Sequence, residues 1–271
     1  MGNRFTSFSK ARKRAAANRA LAAVVGLYEL GSDPPGAMRH NAGGREQSPF
    51  DLLLSTPAVS PLMRVIHLPF LDDQDVNTTD RYDETNVGSG TSLGIQDAVG
   101  NKAKITNAGA DNNHYYYELK YEKAQLVAGK DVWFWTSIEV ADVDDADLFI
   151  GLTADLASGN LFDNRVDSVG FTLTDGSGVL SGLCGKDGAE TETTTGLTLA
   201  DATEYWLGFH SNGVSYVDFF AGIKGAETAK RVRIPTNLPD DEILAPAFGI
   251  RNGASGANTL TISDIWMFID R

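Results

Sequence analysis

DVWFWTSIEV, residues 131–140, alternates apolar and mixed positions. Successive side chains of an extended strand point to opposite sides, so Val132, Phe134, Thr136, Ile138 and Val140 share one face. Trp133, Trp135, Ser137 and Glu139 share the other. The first face reads as core. The second is half aromatic and half polar, which suits partial exposure.

Segments of similar character lie on both sides. They are MRVIHLPF (63–70), HYYYELKY (114–121), DLFIGLTA (147–154), SVGFTLTD (168–175), EYWLGFHS (204–211), VSYVDFF (214–220), ILAPAFGIRN (243–252) and LTISDIWMFID (260–270). All are rich in β-branched and aromatic residues, and clusters of Gly, Asn, Asp and Thr separate them. In the last, Leu260 and Ile262 have one parity while Ile265, Met267 and Ile269 have the other, which predicts a bulge near Ser263 and Asp264. Nothing from residue 63 onward has the period of a long amphipathic helix, and no repeat of fixed period is present. Many short strands without helices predict an all-β sandwich or barrel over residues 63–271.

The front of the chain differs. Residues 1–45 carry eight basic side chains against Glu29 and Asp33, a net of +6, and the remainder carries 15 basic against 34 acidic, a net of −19. Such asymmetry predicts an interaction segment attached to a folded body. Residues 9–30 read as a helix, with Ser9 as N-cap and Gly31 where a C-cap glycine would sit. Its first half is basic (Lys10, Arg12, Lys13, Arg14, Arg19) and its second half apolar (Leu21, Val24, Val25, Leu27, Tyr28). These ten residues are the candidate partner-binding set. The cationic half suits an acidic surface, and the apolar half would bury on arrival. Packing of this helix on its own body is the plainer alternative. Residues 31–62 hold Pro34, Pro35, Pro49, Pro57 and Pro61, which exclude long regular elements and predict an extended linker with at most a helical turn at FDLLL. Residues 1–62 thus read as an arm and 63–271 as the sandwich.

Cys184 stands alone among 271 residues, so no intramolecular disulfide exists, and its flanks lack metal-site spacing. A reducing compartment and synthesis in a cytosol follow as expectations. LAAVVGLYEL is too short for a membrane span and is bounded by Asn18, Arg19 and Glu29, which argues against a signal peptide and against a membrane partner. The acidic body argues against nucleic acid as its main ligand, since phosphates would be repelled. The KARKR stretch by itself could touch phosphates.

FIGLT, VGFTLTDG, the strand around Trp206, the hairpin FHSNGVSYVDFF and APAFGIRN before the last strand resemble, in this order, the concanavalin A-like (laminin-G-like) jelly-roll sandwich of tailed-phage virion structural proteins. The resemblance covers residues 65–271. It implies an all-β jelly roll and use in a virion, as a capsid decoration or cement protein bound to the major capsid protein or other virion subunits. By analogy it also implies homo-oligomers such as a trimer. The alternative is a carbohydrate-binding adhesion module of a head fibre or tail appendage, with Trp133, Trp135, Trp206, Tyr115, Tyr116 and Tyr117 as stacking candidates; the other reading places those rings in the core.

The acidic residues raise two further chemistries. Asp142, Asp144, Asp145 and Asp147 offer oxygens to calcium, and Asp72, Asp73 and Asp75 form a second acidic cluster. The first loop lacks the glycine and terminal glutamate of an EF-hand, and solvated acidic loops are the commoner case. Sandwich glucanases carry paired carboxylates at period-two spacing on one strand. Glu139 with Asp142, or Asp218 alone, does not have that spacing, and His40, His67, His114 and His210 are scattered. No catalytic residue, enzyme activity or cofactor is therefore expected.

Overall fold

The computed structural model describes residues 39–40, 46–47, 63–68, 82–88, 92–96, 102–120, 124–154, 161–163, 165–226, 229–263 and 265–270. The helix read over 9–30, with all ten candidate partner-binding residues, lies outside them, as do FDLLL and Asp72, Asp73 and Asp75.

Eighteen strands run in chain order: β1 (Arg39–His40), β2 (Glu46–Gln47), β3 (Met63–Leu68), β4 (Tyr82–Val87), β5 (Ser92–Gln96), β6 (Lys102–Thr106), β7 (His114–Leu119), β8 (Val132–Val140) and β9 (Ala146–Thr153). They continue as β10 (Ser168–Leu173), β11 (Val179–Lys186), β12 (Ala189–Thr198), β13 (Thr203–Ser211), β14 (Val217–Ile223), β15 (Lys230–Ile234), β16 (Ala245–Asn252), β17 (Thr259–Ile262) and β18 (Ile265–Asp270). The protein is all-β, and no helix occurs among the described residues. Within the segment read as a linker, β1 and β2 form a two-residue antiparallel ladder.

Two antiparallel sheets make the body. One has seven strands in the order β12-β11-β10-β9-β16-β7-β4. The other has nine: β15-β14-β13-β8-β17-β6-β5, with β18 beside β8 and β3 beside β18. The core-facing set of β8 is as its alternation predicts: Val132, Phe134, Thr136, Ile138 and Val140 are all buried. Val132, Phe134, Ile138 and Val140 meet Leu148, Ile150, Leu152, Val169, Phe171 and Phe248 of the opposite sheet in one cluster running from Ala103 to Met267. Phe134 stacks on Phe209 at 5.0 Å, Phe209 contacts Phe219, and Phe219 meets Phe171 edge-on at 5.3 Å. Aromatic rings thus tie the sheets together, each burying a large apolar area in favourable geometry.

The bulge is present. Ile262 faces Ile138 and Trp266 faces Trp135, so four steps on β17–β18 match three on β8. The extra residue keeps both strands' apolar sets facing inward. Its polar groups are satisfied locally: Ser263 N–H donates to Ser137 O at 2.9 Å, and Ser137 N–H donates to Ser263 Oγ at 2.9 Å. At a sheet edge, β12 exposes Glu190, Glu192 and Thr194 and has a register shift against β11, features that discourage edge-to-edge pairing.

Candidate functional site

The outer face of the nine-stranded sheet concentrates the chain's tryptophans. Cross-strand register aligns Trp266 of β18, Trp135 of β8, Gly208 of β13 and Phe220 of β14 in one row. The next row holds Phe268, Trp133, His210, Asp218 and, on β15, Arg233. On the other side, Ser137 faces Trp206, which faces Gly222. The two glycines are steric requirements. A Cβ on Gly208 would stand 2.6 Å from the Trp135 ring, and one on Gly222 would stand 2.8 Å from Trp206. Each indole therefore lies over a glycine, and the two stack with centroids 4.9 Å apart and planes 18° apart. Trp133 stacks on His210 at 4.0 Å. Trp133 and Trp206 are buried, at 4% and 5% exposure, whereas Trp135 and Trp266 remain half-buried.

Charged clusters flank these rings. Asp218 is 2% exposed and accepts from Arg231 at 2.8 Å and from both Nε and Nη2 of Arg233 at 2.8 and 2.7 Å. Arg231 also lies over Phe220, and Arg233 lies over Tyr216 at 3.7 Å. Burial by itself would raise the Asp218 carboxyl, but the guanidinium bonds outweigh it and hold the group below the usual carboxylate range. Toward the other end of β13, Glu204 accepts from Lys224 at 2.7 Å and Ser137 Oγ at 2.9 Å, and pairs with Lys102 at 3.0 Å. Desolvation opposes these bonds there too, and the result is again a lowered carboxyl. Glu204 faces Glu139 across the ladder. Both Asp218 and Glu204 are thus committed to cation pairs, which suits structure and binding better than proton transfer. Beside Asp218, His210 Nε2 stands 3.3 Å from Asp131 Oδ1, within ion-pair distance, and the buried Nε1–H of Trp133 has no hydrogen-bond partner among the described residues.

The outer face of the seven-stranded sheet is filled. Leu161 is fully buried in a cluster with Tyr116, Phe149, Leu183 and Ala247. Phe162 packs edge-on to His114 and Tyr116, beneath the Arg251 guanidinium. Burial lowers the His114 pKa. HYYYEL alternates as a strand should: Tyr116 joins this outer cluster, while Tyr115 and Tyr117 enter the core. Of the six rings considered as stackers from sequence, only Trp135 is not buried. Trp266, Arg231, Arg233 and Glu204 were not singled out from the sequence; the aromatic–polar alternation of β18, like that of β8, was the available signal.

The acidic loop has internal uses. Asp147 accepts from Arg251 Nε at 2.8 Å and from Asp175 N–H at 2.9 Å. Asp142 accepts from the Asp144 N–H at 3.2 Å, and its backbone carbonyl from Asn258. Desolvation and the neighbouring Asp142, Asp175 and Asp144 raise the Asp145 carboxyl. Among the described residues no group of three His, Cys, Asp or Glu side chains is placed to hold a metal ion. Nor is any described helix long and apolar enough to cross a membrane.

No family model matches the chain, and no curated protein matches it. Solved structures do. Arcelin-5, a lectin-like defence protein of Phaseolus vulgaris, superposes with a TM-score of 0.56 at 8% identity over 78% of this chain and 100% of its own. The lectin UEA-II, solved with galactose, gives 0.55 at 9% identity over 77% and 99%. The CBM2 module of the evolved Dit of Lactobacillus casei BL23 phage J-1 gives 0.55 at 12% identity over 78% and 97%. At such identities the likeness concerns the fold. The chain has the concanavalin A-like jelly-roll sandwich of lectins and related modules, as the resemblance of its segments implies, and its strand pattern predicts the all-β body.

Proposed function

We propose that this chain is a structural protein of a tailed-phage virion, a capsid decoration or cement protein whose sandwich stands on the particle and whose residues 1–62 bind neighbouring subunits. One observation carries the reading. The charge is split: residues 1–45 carry a net of +6, ahead of a body that builds a continuous core from Ala103 to Met267 among the described residues. A cationic segment leading into an apolar one, ahead of a body of charge −19, suits docking on an acidic neighbour. Repetition over a symmetric lattice would add avidity to modest individual contacts. The major capsid protein is the proposed partner, with self-association at symmetry axes. The phage Dit module shows this fold already at work in a phage component. The test is to delete residues 1–30, mix the truncated and full chains separately with particles lacking the protein, and measure occupancy. Full-length occupancy by the truncated chain refutes the docking role.

A second reading, a carbohydrate-binding adhesion module of a virion appendage, is favoured by a different observation. Trp135 and Trp266 stay half-buried on the sheet face where Gly208 keeps the Trp135 ring low. Screening the chain on a glycan array addresses it.

A further inference from the structure

We propose that the loops at the Val132 end of β8 form a docking surface for the chain's own residues 9–30, which rest there until a neighbouring subunit takes them. The inference goes beyond the reading above: it concerns the unassembled chain and gives the same segment a second place.

Six large apolar side chains are exposed among the described residues, and four of them, Val127, Val166, Val214 and Ile243, lie at this one end. Topology puts them together. Residues 124–131 lead into Val132, and 212–216 join Ser211 of β13, which faces Val132, to Val217 of β14. β9 runs back from the Val140 end of β8 and finishes at Thr153. Ser168 of β10 and Ala245 of β16 both face Thr153, so 165–167 and 238–244 meet the same end. Contacts link these loops. Ala124 and Leu244 exchange backbone hydrogen bonds at 2.7 Å, and Gly188 N–H donates to Val166 O at 2.9 Å. Lys186 bonds Asp240 and lies 3.3 Å from Asp241. No Cβ would fit between Gly213 and the Val127 carbonyl. Single exposed valines are ordinary on a protein surface, but four on interlinked loops concentrate apolar exposure at one pole.

Charge gives the chemistry of the occupant. Residues 124–131, 165–167, 186–190, 212–216 and 238–244 hold seven acidic side chains against Lys130, Arg165 and Lys186. Lys120, Arg64 and Asp270 at the adjoining strand ends leave the balance acidic. The opposite pole is acidic too, with Asp111, Asp142, Asp144, Asp145, Asp175 and Asp201 in its loops, so acidity alone does not choose the surface. Only Val87 and Ile223, of the six, lie toward that pole. Residues 9–30 join five basic side chains, against Glu29 alone, to the apolar run that includes Val24, Val25 and Leu27. They match a surface that is acidic and apolar together.

Reach selects the chain's own body. Met63 opens β3 at this same end, opposite Asp270, whose N–H donates to Asp131 O at 2.9 Å. Residues 31–62 lie between, and a flexible chain of that length has a root-mean-square span of about 30 Å. The seven-stranded sheet is also about 30 Å wide at strand spacing. A tether whose span matches its target gives an effective concentration on the order of millimolar. At micromolar protein the segment therefore meets its own pole before a second copy. Docking there lowers its affinity for a neighbour by the fraction of chains whose segment is released.

The test uses the full chain, mixed in equal parts as unlabelled and nitrogen-15 protein, joined by a zero-length carbodiimide and read by mass spectrometry. Lys10 or Lys13 should link to Asp240, Asp241 or Glu242, within one isotope only, at least fivefold more than to Asp142, Asp144 or Asp145. Val127→Ser with Val214→Ser should cut those links at least threefold, with melting within a few degrees of the parent chain. Links of mixed isotope would make a second copy the occupant and overturn the proposal. Preference for the Asp142 loop would remove it from this pole, and absence of links from Lys10 and Lys13 would remove it altogether. Unchanged links in the double serine variant would reduce the surface to charge alone and overturn its apolar half. No particle enters this experiment, so its failure and that of the capsid-docking reading are told apart.

Discussion

Gly208→Ala is the substitution that tests the aromatic face most directly. The new methyl would meet Trp135 Cε3 at 2.6 Å and the Phe134 carbonyl oxygen at 3.0 Å. The carbonyl belongs to β8, which pairs with β13 along nine residues, so it has little freedom. The indole can lift, but lifting breaks the 4.9 Å stack on Trp206. Overpacking of this kind costs about 1–3 kcal/mol. Loss of an aromatic pair adds about 0.5–1.5 kcal/mol where the ring leaves altogether. A destabilisation of about 2 kcal/mol corresponds to a melting point lower by about 4–8 °C in a domain of this size. Differential scanning calorimetry reads the shift, and circular dichroism reads the Trp–Trp exciton band, which should weaken with it. A double-mutant cycle separates the two contacts: in a Trp135→Ala background the ring clash is gone, so G208A should cost less than half as much. An unchanged melting point and exciton band for G208A would refute the claim that the glycine exists to seat the ring.

Other outcomes follow from buried titrating groups. The Asp218 carboxyl is held low, so its contribution is present above the ordinary aspartate pKa and lost as pH falls through the folded value; the melting-point gap between the parent chain and D218N should close below about pH 4. Tyr115 is pushed up to about 12, by burial first and then by its bond to Glu84. Its raised value stabilises the fold below pH 10 and fades as pH climbs toward 12, so an ultraviolet titration should show this tyrosine ionising late, and Y115F should remove that late step. Burial also pushes the Cys184 thiol far up. It should resist thiol reagents in the native protein and react at once in denaturant; native labelling at the rate of a free thiol would contradict its placement in the core.

The sandwich was legible because alternation in β8, β10 and β13 is dictated by burial, and burial is written residue by residue. Even the bulge at Ser263 could be read from a parity change in one segment. The flanking charge clusters could not. Lys102 and Glu204, or Asp218 and Arg233, come together only after strands from separate parts of the chain adopt their register. The same holds for Gly208, whose meaning depends on Trp135 lying opposite. Tyr115, Tyr116 and Tyr117 illustrate the limit from the other side. All three stand among the stacking candidates of the sequence, yet the period of two sends the middle ring outward and its neighbours into the core.

The pairing of β3 with β18 sets where the body can be held. Met63 lies opposite Asp270, beside the β8 end that begins at Val132, while Asp142 and Asp144 follow the other end of β8. Nine strand residues, roughly 30 Å, separate these poles. If the proposed arm were to pull on Met63 along the axis of β3, the hydrogen bonds of β3 to β18 would be loaded together in shear rather than peeled singly.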